Sequence, residues 1–132
     1  IVKESSIYET AAWGFESEND FLNQVLLVKT DLKPKQVLEQ CQLIEKLLGR
    51  VRKSGHYASR TMDIDILFYN DEIINEPDLT IPHPHLHKRK FTLEPLNEIS
   101  PEYTHPKLKK TIAKLLLDCD DHSEVKRLAA LR

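Results

Sequence analysis

The twenty residues Gly49–Phe68, GRVRKSGHYASRTMDIDILF, decide how this chain is read. The first half carries Arg50, Arg52, Lys53 and Arg60 in a polar, loop-like stretch with Gly55 and Ser59. The second half, Met62 to Phe68, has the apolar, β-branched and aromatic content of a strand. Alternation along a strand places Asp63, Asp65 and Leu67 on one face and Ile64, Ile66 and Phe68 on the other, which should be core. Two carboxylates so spaced sit roughly 7 Å apart at Cα, a separation suited to oxygen ligation of one or two Mg²⁺ ions. The upstream cations would then meet phosphates held by those ions. Alone, a D-x-D pair or a basic run is usually wet surface. Together in one short stretch they favour a polyphosphate–Mg²⁺ site.

Outward from this stretch, the 132 residues, 40% hydrophobic, bound the chain to one domain with a modest core. A net charge of −2 disfavours bulk polyanion binding. No stretch is long and apolar enough for a membrane span, and no leader is visible. The first residue is Ile1 rather than Met, so a natural start upstream is expected. Cys41 and Cys119 read as reduced thiols of a cytoplasmic protein.

Upstream, Val2–Thr10 reads as a strand. Ala11–Asn19 reads as a loop with Trp13 and Gly14. Phe21–Lys29 reads as a strand apolar on both faces, hence central in its sheet. A helix follows. Pro34 lies in its first turn, Val37, Leu38, Cys41, Ile44, Leu47 and Leu48 recur at helical spacing, and Gly49 acts as its C-cap. Gln42 and Glu45 share one side near its end. Downstream, a turn at Asn70-Asp71 leads into a short hairpin at Glu72–Asn75. Leu93–Ile99 reads as a short helix broken near Pro95, and Thr111–Leu117 and Ser123–Leu131 as terminal helices. Irregular alternation of strands and helices points to α+β with a mostly antiparallel sheet.

His83, His85 and His87 alternate, but Pro82 and Pro84 oppose a regular strand, so one histidine bonding a phosphate is preferred to a three-His zinc site. His56, His105 and His122 read as loop or surface residues. Phe21 and Phe91, if they face each other, can sandwich a flat heterocycle.

Three runs then carry a resemblance: G-R-V-R-K-x-x-x-Y-x-x-R-T-M-D-I-D-I-L (Gly49–Leu67), L-T-I-P-H-P-H-L-H-K-R-x-F (Leu79–Phe91) and L-x-P-L-N-E-I-S-P (Leu93–Pro101). With S-S-I-Y-E-T-A-x-W-G (Ser5–Gly14) and F-L-N-Q-V (Phe21–Val25), the chain closely resembles 6-hydroxymethyl-7,8-dihydropterin pyrophosphokinase of folate biosynthesis. The resemblance implies a ferredoxin-like core within a single pyrophosphokinase domain over 1–132, and pyrophosphate transfer from ATP to the pterin hydroxymethyl group, leaving AMP. It implies two Mg²⁺ ions on Asp63 and Asp65, and a pterin pocket of Thr10, Ala11, Trp13, Phe21, Asn23 and Phe91. ATP contacts carry over to Gln42, Glu45, Arg52, Tyr57, Arg60, Ile66, Thr80, His83 and Arg89. Arg50 falls at a catalytic arginine on a mobile loop, which the basic segment is expected to form and to close over ATP. Partners would be the two small molecules, with no nucleic acid and no membrane, in a monomer or homodimer.

The family's opening G-S-N strand and following helix are absent here, so the chain reads as N-terminally incomplete relative to it. His56 and Pro84 stand where some members have arginine and tyrosine, and Ala11 replaces a common proline. Two other classes remain: an inactive relative that binds pterin or ATP without turnover, and a module stacking single-stranded RNA on surface aromatics. The negative net charge and the absence of an RNP-like aromatic pattern count against the RNA module.

Overall fold

The computed structural model describes residues 1–10, 21–50 and 62–128, with backbone alone at 49 and 50. It is α+β, and every strand pairing in it is antiparallel. The chain divides into two compact units, one formed by Ile1–Lys29 with Pro84–Arg132 and the other by Thr30–His83.

In the discontinuous unit, β1 (Lys3–Glu4) pairs with β4 (Leu26–Leu27). Then β2 (Tyr8–Thr10) runs between β3 (Phe21–Asn23) and β7 (Val125–Arg127). The expected first strand is thus split in two. Lys3 faces Leu27, yet Tyr8 faces Asn23. Residues 5–7 therefore lie opposite only residues 24 and 25, a three-against-two count that is a β-bulge. Ser5 mends the ladder there: its hydroxyl accepts the Val25 N–H at 3.0 Å, and its N–H donates to the Val25 carbonyl at 2.9 Å.

The expectation that Phe21–Lys29 is a central strand fails. Among the described residues β3 has a partner on one side only, and Phe21, Leu22, Leu26, Leu27 and Val28 are exposed. The central strand is β2, whose Tyr8 and Thr10 are buried. Its second neighbour is β7, where a helix over Ser123–Leu131 was expected. Val125 and Arg127 gain backbone partners on β2, and this pairing overrides local helical preference.

Over this sheet lies α2 (Lys90–Ile99), longer than expected and unbroken at Pro95, whose ring is buried. Its N-cap residue Arg89 makes no side-chain cap; instead Asp121 accepts the Lys90 N–H at 3.0 Å. Leu93 and Leu96 of α2, Leu86 of the preceding 3₁₀ turn (Leu86–Lys88), and Ile112 and Leu115 of α3 (Ile112–Leu117) are buried. Each such side chain contributes about 1.5–3 kcal/mol by leaving water. The α3 helix stands where the spacing put it, capped by Thr111, whose hydroxyl accepts the Lys114 N–H at 3.2 Å. His105, expected in a loop or at the surface, lies in a loop but is buried. Its Nδ1 accepts the N–H groups of Lys107 and Leu108, and burial holds its pKa below the ordinary value.

The second unit opens with α1 (Pro34–Arg50). Lys33 and Gln36 form half of a capping box, the Gln36 side chain accepting the Lys33 N–H at 2.8 Å. The helix runs through Gly49 rather than ending before it. Val37, Leu38 and Cys41 are half-buried, whereas Leu43, Ile44, Leu47 and Leu48 are exposed. The expected turn at Asn70-Asp71 is present, closed by the Glu72 N–H on the Tyr69 carbonyl, with Asn70 at φ 51°. The hairpin comes one turn later, β5 (Ile74–Glu76) against β6 (Leu79–Ile81), with Leu79 and Ile81 buried. Both cysteines are free thiols, as expected. No helix among the described residues is long and apolar enough to cross a membrane.

Candidate active site

The acidic candidates lie in the second unit. The segment 62–68 is not part of a strand ladder. The Ile64 N–H, midway between the two aspartates, is donated to the Glu45 carboxylate of α1 rather than to a neighbouring strand. Farther along, the Leu67 carbonyl accepts the His83 N–H at 3.0 Å. The alternation read from sequence nevertheless survives in burial: Asp63 and Asp65 are exposed, and Ile64, Ile66 and Phe68 are half-buried. Both carboxylates thus face water while the side chain between them is drawn inward.

His83 follows β6 directly, after a cis Ile81–Pro82 peptide, and its Nε2 stands 3.9 Å from Asp65 Oδ2. Thr80 is exposed on β6, and Gln42 is exposed on α1 one turn before Glu45. Glu45 emerges with a backbone-holding role that its sequence position did not announce. Two exposed carboxylates fit Mg²⁺, which keeps most of its waters and takes one or two carboxylates beside substrate phosphates. No group of three or more His, Cys, Asp or Glu suited to a metal occurs among the described residues, and that includes the alternating histidines. A closed protein cage of the zinc kind is therefore not formed there.

The pterin candidates Thr10, Asn23, Phe21 and Phe91 belong to the other unit, as does Arg89. Residues directly opposite on antiparallel strands share a face. The row Asn23–Tyr8–Arg127 and the row Phe21–Thr10–Val125 therefore point the same way. Tyr8 and Arg127 both bond Glu98 of α2, so this is the face that α2 covers. Thr10 Oγ1 is buried and has no hydrogen-bond partner among the described residues. Phe21, at the edge, is 60% exposed. Phe91 is half-buried in the first turn of α2, with the Arg89 guanidinium 5.7 Å from its ring centroid.

Ala11, Trp13, Arg52, Tyr57 and Arg60 lie outside the described residues, as do the Arg50 side chain and the expected closing loop.

Sequence reading missed Glu98. Its carboxylate accepts the Ser6 N–H at 2.9 Å, the Tyr8 hydroxyl at 2.9 Å and the Ser6 hydroxyl at 3.1 Å, and it pairs with Arg127 at 3.2 Å. Burial alone would raise this carboxyl, but those hydrogen bonds and the Arg127 charge hold it below the ordinary value. Burial, with the Glu98 bond and charge, pushes the Tyr8 hydroxyl up to about 12. The signal available was the S-S-I-Y run and the N-E-I-S-P run, which nothing local connects.

Residues 1–101 match the family model described as 7,8-dihydro-6-hydroxymethylpterin-pyrophosphokinase (HPPK). A 2-amino-4-hydroxy-6-hydroxymethyldihydropteridine pyrophosphokinase of Aquifex aeolicus is 45% identical over 112 residues, covering 85% of this chain and 69% of its own length. The Bacillus subtilis protein of the same name is 46% identical over 99 residues, 75% of this chain and 59% of its own length. The folic acid synthesis protein fol1 of Pneumocystis carinii is 41% identical over 122 residues, 92% of this chain but 16% of that longer protein. The chain is a member of the 7,8-dihydro-6-hydroxymethylpterin-pyrophosphokinase family.

Proposed function

We propose that this chain transfers pyrophosphate from ATP to the hydroxymethyl group of 6-hydroxymethyl-7,8-dihydropterin, giving AMP and the pterin pyrophosphate, in folate biosynthesis. The observation that carries the reading is the pair Asp63 and Asp65, both exposed, with Ile64 between them tethered to Glu45. Family membership supports ATP as co-substrate. Dependence on Mg²⁺, with two ions, belongs to the proposal.

In this reading the pterin hydroxyl oxygen attacks the β-phosphorus, and its proton is released to solvent water. The bond from that phosphorus to the oxygen of the α-phosphate breaks in line, and AMP leaves. Mg²⁺ held by Asp63 and Asp65 would neutralise phosphate charge and orient the reacting oxygens. Glu45 holds the Ile64 amide and so fixes where the two aspartates stand. His83, whose Nε2 stands 3.9 Å from Asp65 Oδ2, is assigned to the ATP phosphates. Arg50 and Arg60 are assigned to the charge that moves onto the leaving phosphate, and Arg52 and Tyr57 to ATP. Gln42, Ile66, Thr80 and Arg89 are also assigned to ATP.

Thr10, Asn23, Phe21 and Phe91, with Ala11 and Trp13, are assigned to the pterin. The Asn23 amide offers both donors and an acceptor to its edge, and the buried Thr10 hydroxyl has no hydrogen-bond partner among the described residues. We further assign the α+β elements to a ferredoxin-like core, residues 1–132 to one pyrophosphokinase domain, and the chain to the cytoplasm as a monomer or homodimer with small-molecule partners.

Incubation with ATP, Mg²⁺ and the hydroxymethyl dihydropterin, followed by chromatography of the nucleotides, tests the reading. AMP formed one-to-one with the pterin product is expected. ADP would mark an ordinary kinase, and binding without turnover an inactive relative.

A further inference from the structure

We infer that Glu98 is a positioning residue for pterin recognition: it locks the bulge at 5–7 and so sets the register of the strand pair carrying the pterin candidates. The inference rests on the functional reading above.

A bulge leaves a backbone donor without a ladder partner. Here the Ser6 N–H is taken by Glu98 Oε1 at 2.9 Å, from a helix 92 residues away in sequence. The same carboxylate accepts the Ser6 and Tyr8 hydroxyls. Arg127 completes the set, its Nη2 on Glu98 Oε2 at 3.2 Å and its Nε donating to the Ser6 hydroxyl at 3.0 Å.

The consequence for the sheet is geometric. One-residue slippage would turn every side chain of β2 to the opposite face. With the bulge in place Tyr8 stands opposite Asn23, and Thr10 opposite Phe21. Within α2, Glu98 lies seven residues after Phe91, two helical turns on the same face. One carboxylate therefore relates the helix face that carries Phe91 to the strands that carry Thr10, Phe21 and Asn23. The carboxylate itself touches none of those four through the bonds described, so its action is through the frame.

The test compares the wild-type chain with Glu98→Gln and with Tyr8→Phe. Gln keeps the volume but removes the negative charge and one of the two acceptor oxygens. Phe keeps the buried ring and deletes only the hydroxyl. Affinity for the hydroxymethyl dihydropterin is measured by its fluorescence with a non-hydrolysable ATP analogue present. Affinity for the ATP analogue alone, and the thermal midpoint, are measured beside it. The expected result is pterin affinity lower by about tenfold in Glu98→Gln and about threefold in Tyr8→Phe, with ATP-analogue affinity within twofold of wild type. Unchanged pterin affinity in the folded variants overturns the inference, as does an equal loss for both ligands. If Glu98→Gln does not fold, Tyr8→Phe decides alone. A wild-type chain that binds no pterin overturns the functional reading instead, and that outcome is read before any variant.

Discussion

At the scale of single residues, the acid pair shows how much one hydrogen bond decides. Asp63 and Asp65 have the alternation of a strand without the ladder of one, because the Ile64 N–H is taken by the Glu45 carboxylate. That leaves both aspartates facing water, where a hydrated divalent ion can reach them. Replacing Asp63 or Asp65 by Asn removes one unit of negative charge with almost no change of volume. Turnover should fall by on the order of 10²-fold or more, while the thermal midpoint stays within a degree or two, since neither side chain is buried. AMP formation and a melting curve on each variant check this, and a variant retaining full turnover would remove that aspartate from the site. The D-x-D spacing was legible in the sequence. The tether was not, because it joins positions 19 residues apart through a backbone amide, a group every residue carries.

At the scale of elements, α2 is held at both ends by side chains from outside it, Asp121 at its N-terminus and Lys3, whose Nζ donates to the Ile99 carbonyl at 3.3 Å, at its C-terminus. Arg89 offers no cap, and Asp121 supplies one from a segment 31 residues on, while Ser123 holds the Asp121 carboxylate in place. Burial would raise that carboxyl, but the Ser123 and Lys90 hydrogen bonds keep it below its ordinary value. Asp121→Ala should cost about 1 kcal/mol, in the range of an ordinary N-cap loss. A urea melt should show a lower midpoint with an unchanged slope. The helix expected over Ser123–Leu131 gives way to β7, which pairs along β2. Likewise Pro95 argues locally for a break, but its ring is buried in an unbroken α2. In both places tertiary partners outweigh local preference.

At the scale of the whole molecule, acid stability should follow the carboxylates that folding holds charged. Glu98 has its pKa depressed from the ordinary 4.5, so its contribution is complete above about pH 4.5 and is lost as the pH falls through the folded value. Asp121 acts in the same direction. Urea midpoints should therefore fall steeply below about pH 4. The stability gap between wild type and Glu98→Gln should narrow over the same range, and a gap independent of pH would contradict the network. By itself the sequence determined the family, the α+β class, the D-x-D spacing, the α1 and α3 helices and the free thiols. Those rest on contiguous runs, where spacing and residue type are enough. Only the tertiary structure decided that β2 is central, that residues 5–7 bulge, that the C-terminal segment is a strand, and that Glu98 binds Ser6, Tyr8 and Arg127 together. These features arise where backbone and buried polar groups must find partners far along the chain, and no local pattern names which distant group will satisfy them.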